Sequence, residues 1–150
     1  MPADRAHELR QWAFGDDSRS AAIELLLRTH LVKESYPWVV HDRAWDTWAI
    51  DFDALLEVTT ALAAEQQAWN FPSSRLAVLR VAASLADNIP LQLRELLPTL
   101  EYEHTELVMI ALAHSAGYAR FTTEETDTGS AVPPRPPLAT WPDEPTPPDS

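Results

Sequence analysis

Over most of the first 120 residues, apolar side chains recur at helical spacing. In 21–31, Ile23, Leu26, Leu27 and Leu31 fall on one face, with Glu24 and Arg28 opposite. That is the rhythm of an amphipathic helix. A shorter helix is expected over 4–12, ending near Phe14 and Gly15, and Asp16, Asp17 and Ser18 offer side-chain oxygens to cap the one that follows. Residues 75–86 are apolar nearly all round, which predicts a central helix. Asp87 and Asn88 followed by Pro90 end it, and Ser73 or Ser74 caps its start. A short helix over 91–97 stops at Pro98. The last starts near Thr99, carries Glu101, Glu103 and Glu106 where the N-terminal dipole favours acids, and closes at Gly117.

The least helical stretch is 32–42. Pro37 pushes Tyr36 toward an extended conformation, and Tyr36, Trp38 and Val40 alternate as in a short extended segment. Beyond Asp42 the spacing of Trp45, Trp48, Phe52, Leu55 and Leu62 predicts a return to helix across 43–69, in one piece or two, with Asp51 or Asp53 capping the second. From about Thr122 the pattern dissolves: eight of the 13 prolines lie at 133–148. Such a segment buries too little apolar surface to offset its ordering entropy. The expected architecture is all-α, a compact bundle of five to six helices over 1–120, with a disordered, proline-rich, acidic tail over 121–150.

Charge and composition narrow the functional classes. The formal net charge is −12, with 17 acidic and 10 basic residues up to position 120 and 6 against 1 beyond it. Such a balance disfavours direct binding to nucleic acid or anionic lipid and suits a protein partner of basic character. The chain has no cysteine, which excludes disulfides, thiolate zinc sites and cysteine nucleophiles. Its N-terminus has no signal-like apolar run, and the longest apolar run, 107–113, is far too short to cross a bilayer. A cytoplasmic protein is expected.

No constellation of reactive residues rises to a catalytic assignment, and no metal or cofactor is called for. Glu101 and His104 share a helix face, but a di-iron bundle needs that pair twice. His30, His104 and His114 lie on or beside apolar faces, where a single satisfied hydrogen bond is the usual fate. Asp51 and Asp53 read as a helix start, and no phosphate loop or dinucleotide fingerprint exists. The rhythm of 91–116 resembles a helix-turn-helix, but its second helix opens with three glutamates that phosphates repel.

The tryptophans stand out. Trp12, Trp38, Trp45, Trp48 and Trp69, with Tyr36, Phe52 and Phe71, either build the core or wall a binding surface, since buried indoles need a hydrogen-bond partner. In the tail, Arg135, Leu138 and Trp141 sit among prolines and acids, where a lone tryptophan is a natural anchor for a partner's pocket. The expected partner-binding residues are therefore Tyr36, Trp38, Trp45, Trp48, Arg135, Leu138 and Trp141.

At 73–118 the string SSRLAVLRVAASLADNIPLQLRELLPTLEYEHTELVMIALAHSAGY resembles a segment of small uncharacterised helical proteins from high-GC bacteria and their mobile elements. In those, a helix ending in AASLAD precedes a short leucine helix and a final helix ending in A-H-x-A-G. A glycine-rich, charged turn often comes before the AASLAD helix, where this chain has Asn70, Phe71, Pro72, Ser73 and Ser74. The resemblance implies a helix order and no activity.

Three functional readings follow. The first is a non-catalytic interaction or regulatory protein that presents an acidic, aromatic-bearing helical surface, helped by the tail. The second is an acidic inhibitor that mimics nucleic acid. The third is a small helical enzyme or ligand-binding protein with a tryptophan-rich pocket.

Overall fold

The computed structural model describes residues 3–60, 70–119 and 135–144. Six helices and one small hairpin make up these residues: α1 (Ala3–Ala13), α2 (Asp17–Arg28), β1 (Val39–Asp42), β2 (Thr47–Ile50), α3 (Phe52–Val58), α4 (Ser73–Asp87), α5 (Leu93–Leu96) and α6 (Tyr102–Ser115). A 3-10 turn, Leu97–Thr99, joins α5 to the approach of α6. None of the described helices is long and apolar enough to cross a membrane.

Local chemistry sets the helix limits. The Asp16 carboxylate accepts the Arg19 N–H at 3.0 Å and starts α2, and Asp51 accepts from Ala54 at 3.1 Å to start α3. Asn88 ends α4 in the left-handed conformation at φ 56°, which asparagine tolerates better than most residues. At the start of α4 the expected serine cap is absent: Pro72 precedes the helix without a side-chain bond. Ser74 instead turns inward, accepting the Glu101 N–H at 2.8 Å and bonding Nδ1 of His104 at 2.6 Å. It ties the start of α4 to the start of α6.

Helix α4 is the centre. It buries Ala77, Val78, Leu79, Val81, Ala82 and Ala83, packing against α2, α3 and α6. Helix α2 offers Ala21, Ala22, Ile23, Leu25 and Leu26. The small residues let the α2 and α4 backbones approach, and the branched ones fill the space between.

The hairpin corrects the all-helical expectation. Strands β1 and β2 pair antiparallel, with Val39 opposite Ile50, Val40 opposite Ala49, His41 opposite Trp48 and Asp42 opposite Thr47. Asp42 accepts the Ala44 N–H at 2.9 Å, and Asp46 takes a left-handed φ of 49°. Together they reverse the chain over Arg43, Ala44 and Trp45, where the apolar spacing had predicted helix. The helical pattern of Phe52 and Leu55 holds, in α3. Leu62, Trp69 and the rest of that expected helix from position 61 lie outside the described residues.

The tail needs a partial correction too. Residues 135–144 lie on the helical domain, with the Leu138 N–H donating to the Tyr118 carbonyl at 2.8 Å and Trp141 packed against the core. A segment that cannot build a core of its own has borrowed one. The remainder of the expected tail, 121–134 and 145–150, lies outside the described residues.

Candidate functional site: a groove filled by the tail

Helices α1, α2 and α6 leave a groove between them, and Trp141 sits at it. Its Nε1–H donates to Nδ1 of His114 at 3.0 Å, and the two rings meet edge to face at 73°. The indole N–H can only donate, so Nδ1 of His114 is the acceptor in this contact. The Arg28 guanidinium lies 5.1 Å from the indole centroid, within cation–π range. Arg28 also donates through Nη1 to the Pro142 carbonyl, and Arg10 through Nη2 to the Glu144 carboxylate. Three residues within 141–144 thus supply an aromatic ring, a carbonyl and a carboxylate to three domain side chains.

Glu24 holds the two arginines in position. Its carboxylate accepts from Arg10 Nε at 2.6 Å and from Arg28 Nε at 3.0 Å. Burial opposes ionisation of Glu24, but the hydrogen bonds and charges of Arg10 and Arg28 outweigh it, leaving its pKa below the ordinary carboxylate value. The same pairing raises Arg10. Glu24 thus holds both cations where 141–144 meets them. Beside Trp141 the groove keeps a cavity of about 510 Å³, with Phe14, Asp17 and Ser20 on its wall.

The seven expected partner-binding residues divide three ways. Tyr36 and Trp38 are corrected to core: they stack at 4.6 Å and meet Phe71 at 5.6 and 6.1 Å. Trp38 is wholly buried, and its indole N–H donates to the Leu31 carbonyl at 2.9 Å. With that bond made inside, neither ring has a surface to offer. Trp45 stands at the hairpin tip, 81% exposed. Trp48 is half-buried between His41 and the Arg5 guanidinium, which lies 4.6 Å from its centroid. Arg135 and Leu138 are exposed on the tail, and Trp141 is the tail's anchor.

Helix α2 shows why the pairing of Arg10 with Glu24 is not legible in the sequence. The spacing of Glu24 and Arg28 reveals an i,i+4 pair, but Arg10 is 14 residues from Glu24 and reaches it only through the packing of α1 on α2. His114 was visible as a histidine beside an apolar face, and nothing local marks Trp141 as its partner.

The remaining candidates resolve into structure. Ser74 and His104 form a serine–histidine contact, but Ser74 is buried and its oxygen already accepts from Glu101. Glu101 and His104 are thereby parts of one inter-helix tie. His30 is exposed in a left-handed turn after α2, and Asp51 is spent on its cap. Among the described residues no group of three or more histidines and carboxylates is placed to hold a metal. A second cleft, about 580 Å³ between α3, α4 and α5, is lined by Leu56, Leu76, Arg80, Ile89 and Glu95 among others. None of the expected aromatic residues of 36–48 lines either cleft.

The chain matches no protein-family model, no curated protein and no solved structure.

Proposed function

We propose that the protein is a non-catalytic interaction protein whose α1–α2–α6 groove receives an extended, acidic, tryptophan-bearing segment. At rest that segment is its own 141–144; in the engaged state it is a similar stretch of a partner protein. The observation that carries this reading is the simultaneous capture of the Trp141 ring by His114 and Arg28 and of the Glu144 carboxylate by Arg10. An aromatic anchor with a charge-assisted bond beside it is how short peptides gain both affinity and register. The basic partner expected from net charge suits the outer surface. The groove itself selects acid.

A tethered segment competes at an effective concentration of about millimolar, so the groove is guarded against weak ligands. The test is a fluorescently labelled peptide with the sequence of residues 135–144, added to the full chain. Trp141→Ala empties the groove, and this variant binds the peptide roughly tenfold or more tightly than the wild type does. Adding His114→Ala to that variant abolishes the gain. Equal binding by wild type and Trp141→Ala rejects the reading.

One observation favours a second reading, a ligand-binding protein. His114, Asp17 and Glu24 line a single cavity beside Trp141, a convergence of polar groups typical of small-molecule sites. Against it, Glu24 is already clamped by two arginines and Nδ1 of His114 is taken by Trp141.

A further inference from the structure

The docked segment meets the domain at spaced points that follow one direction. The Leu138 N–H donates to the Tyr118 carbonyl, and the Trp141 indole then donates to His114. The tail thus runs antiparallel to 114–118. One residue further on, Arg28 takes the Pro142 carbonyl, and two beyond that Arg10 takes the Glu144 carboxylate. These points differ in how much of the side chain they read. A main-chain carbonyl is supplied by any residue, so position 142 is open, and proline suits it by keeping Trp141 extended. The ring and the acid are where the groove can discriminate.

At the ring, two contacts favour an indole over the other aromatics. Its N–H meets the acceptor Nδ1 of His114 at 3.0 Å; phenylalanine has no such donor, and tyrosine carries its hydroxyl at the far end of the ring. A site built around a hydrogen bond rejects the analogue that cannot make it. The Arg28 guanidinium, 5.1 Å from the centroid, adds a cation–π contact that tryptophan makes best. At the acid, charge alone does not decide. Asp143 and Glu144 are neighbours and both exposed, yet only Glu144 pairs with an arginine among the described residues. Glu24 holds Arg10 at 2.6 Å, which sets where along the groove a carboxylate is received.

We propose that the groove reads a motif, Trp-Pro-x-Glu in one chain direction, with His114 selecting the indole and Arg10 the carboxylate three residues on. Resting on the function proposed for the groove, this assigns the partner's chemistry: an extended segment that carries tryptophan and glutamate at that spacing, rather than any acidic aromatic stretch.

His114 gives the motif a signature that packing cannot imitate. A protonated imidazole carries a proton on both nitrogens and accepts no hydrogen bond, so the indole loses its advantage as pH falls through the histidine range. The other charged groups at the groove are Arg10 from α1, Asp17, Glu24 and Arg28 from α2, and Asp143 and Glu144 from the tail. All of them are common to a tryptophan chain and a phenylalanine chain, and they cancel in the ratio of the two.

Hydrogen exchange of the full chain reads docking as the protection factor of the Leu138 amide. At about pH 8, Trp141→Phe lowers it roughly tenfold. The ratio of wild type to Trp141→Phe then falls toward one by about pH 5. Glu144→Gln lowers protection roughly two- to fivefold, as for an exposed ion pair, whereas Asp143→Asn removes the same charge without effect. Peptides of residues 135–144 with these three changes keep the same rank on the Trp141→Ala chain. The motif is overturned if Trp141→Phe docks as well as wild type, if the ratio ignores pH, if Asp143→Asn costs as much as Glu144→Gln, or if the peptides rank differently. In each of those outcomes Leu138 stays protected in the wild type. A wild type without protection at Leu138, or a Trp141→Ala chain that binds no peptide, overturns the function proposed for the groove as well.

Discussion

Trp141 and His114, 27 residues apart, share a 3.0 Å hydrogen bond that fixes the end of the chain to α6. The bond joins the least structured part of the sequence, by composition, to the helix that closes the domain. Its strength comes from company: Arg28 on the ring and Arg10 on Glu144 act within four residues of it. Docking of 135–144 is thus a cooperative set of contacts that removal of the anchor should dissolve.

Trp141→Ala is expected to free residues 135–144 while leaving the six helices intact. Hydrogen exchange checks this directly. The Leu138 amide, bonded to the Tyr118 carbonyl at 2.8 Å, should lose protection, while the amides of α2 and α4 keep theirs. The stability cost is about 1–2 kcal/mol, in line with the loss of a half-buried aromatic contact. Unchanged protection at Leu138 would show that the anchor lies elsewhere in the segment.

Glu24 gives a prediction with a sign. Its folded pKa lies below the ordinary 4.5 because Arg10 and Arg28 outweigh its burial. The unfolded chain therefore binds a proton at Glu24 more readily than the folded one, and acid favours unfolding. The stabilisation from ionised Glu24 is complete above the ordinary carboxylate value and fades as pH falls through the lower folded value. Urea unfolding of wild type and Glu24→Gln is the measurement. The variant should be less stable by about 2–4 kcal/mol near neutrality, since it strands two part-buried arginines. The gap should hold down to about pH 5 and then close with further acidification.

How much of this was legible in the chain depends on the range of the interaction. Helix α2 could be read because its stripe and the Asp16 cap are local, and α4 because its apolar run ends at Asn88 before Pro90. The hairpin could not, since Trp45, Trp48 and Phe52 satisfy helical spacing as well as their true places at a turn, in a strand and at a helix start. What decides is the Asx turn at Asp42 with the left-handed Asp46, which lets Thr47 and Ile50 pair with Asp42 and Val39. The aromatic residues of 36–48 stand out in the sequence, yet their division between core and surface turns on a carbonyl. Leu31 gives Trp38 its buried acceptor. The proline-rich composition denies the tail a core of its own and is silent on whether it uses another. The groove joins Arg10, Glu24, His114 and Trp141, positions that only tertiary packing brings together.

The tie between α4 and α6 supplies the third prediction. Ser74 accepts from the Glu101 amide and bonds His104, and it is buried while doing so. Ser74→Ala leaves that amide without its acceptor and should cost about 1–3 kcal/mol. Combined with His104→Ala in a double-mutant cycle, the coupling should be about 1 kcal/mol. Additive effects would mean that the 2.6 Å contact contributes nothing to stability.

Trp38 and Trp45 separate core from surface within seven residues, and the contrast between them is the fourth prediction. Trp38→Ala removes a wholly buried ring together with its bond to the Leu31 carbonyl. A loss of about 3–5 kcal/mol is expected, enough to unfold a marginal domain. Trp38→Phe keeps most of the packing against Tyr36 and Phe71 but leaves that carbonyl unpaired, and should fall between wild type and alanine. Trp45→Ala, at the exposed hairpin tip, should move stability by less than about 0.5 kcal/mol. Denaturant midpoints measured at constant slope rank the three. If Trp45→Ala instead destabilised as much as Trp38→Phe, the hairpin tip would be packed in solution, and the exposed indole would have to be reassigned to the core.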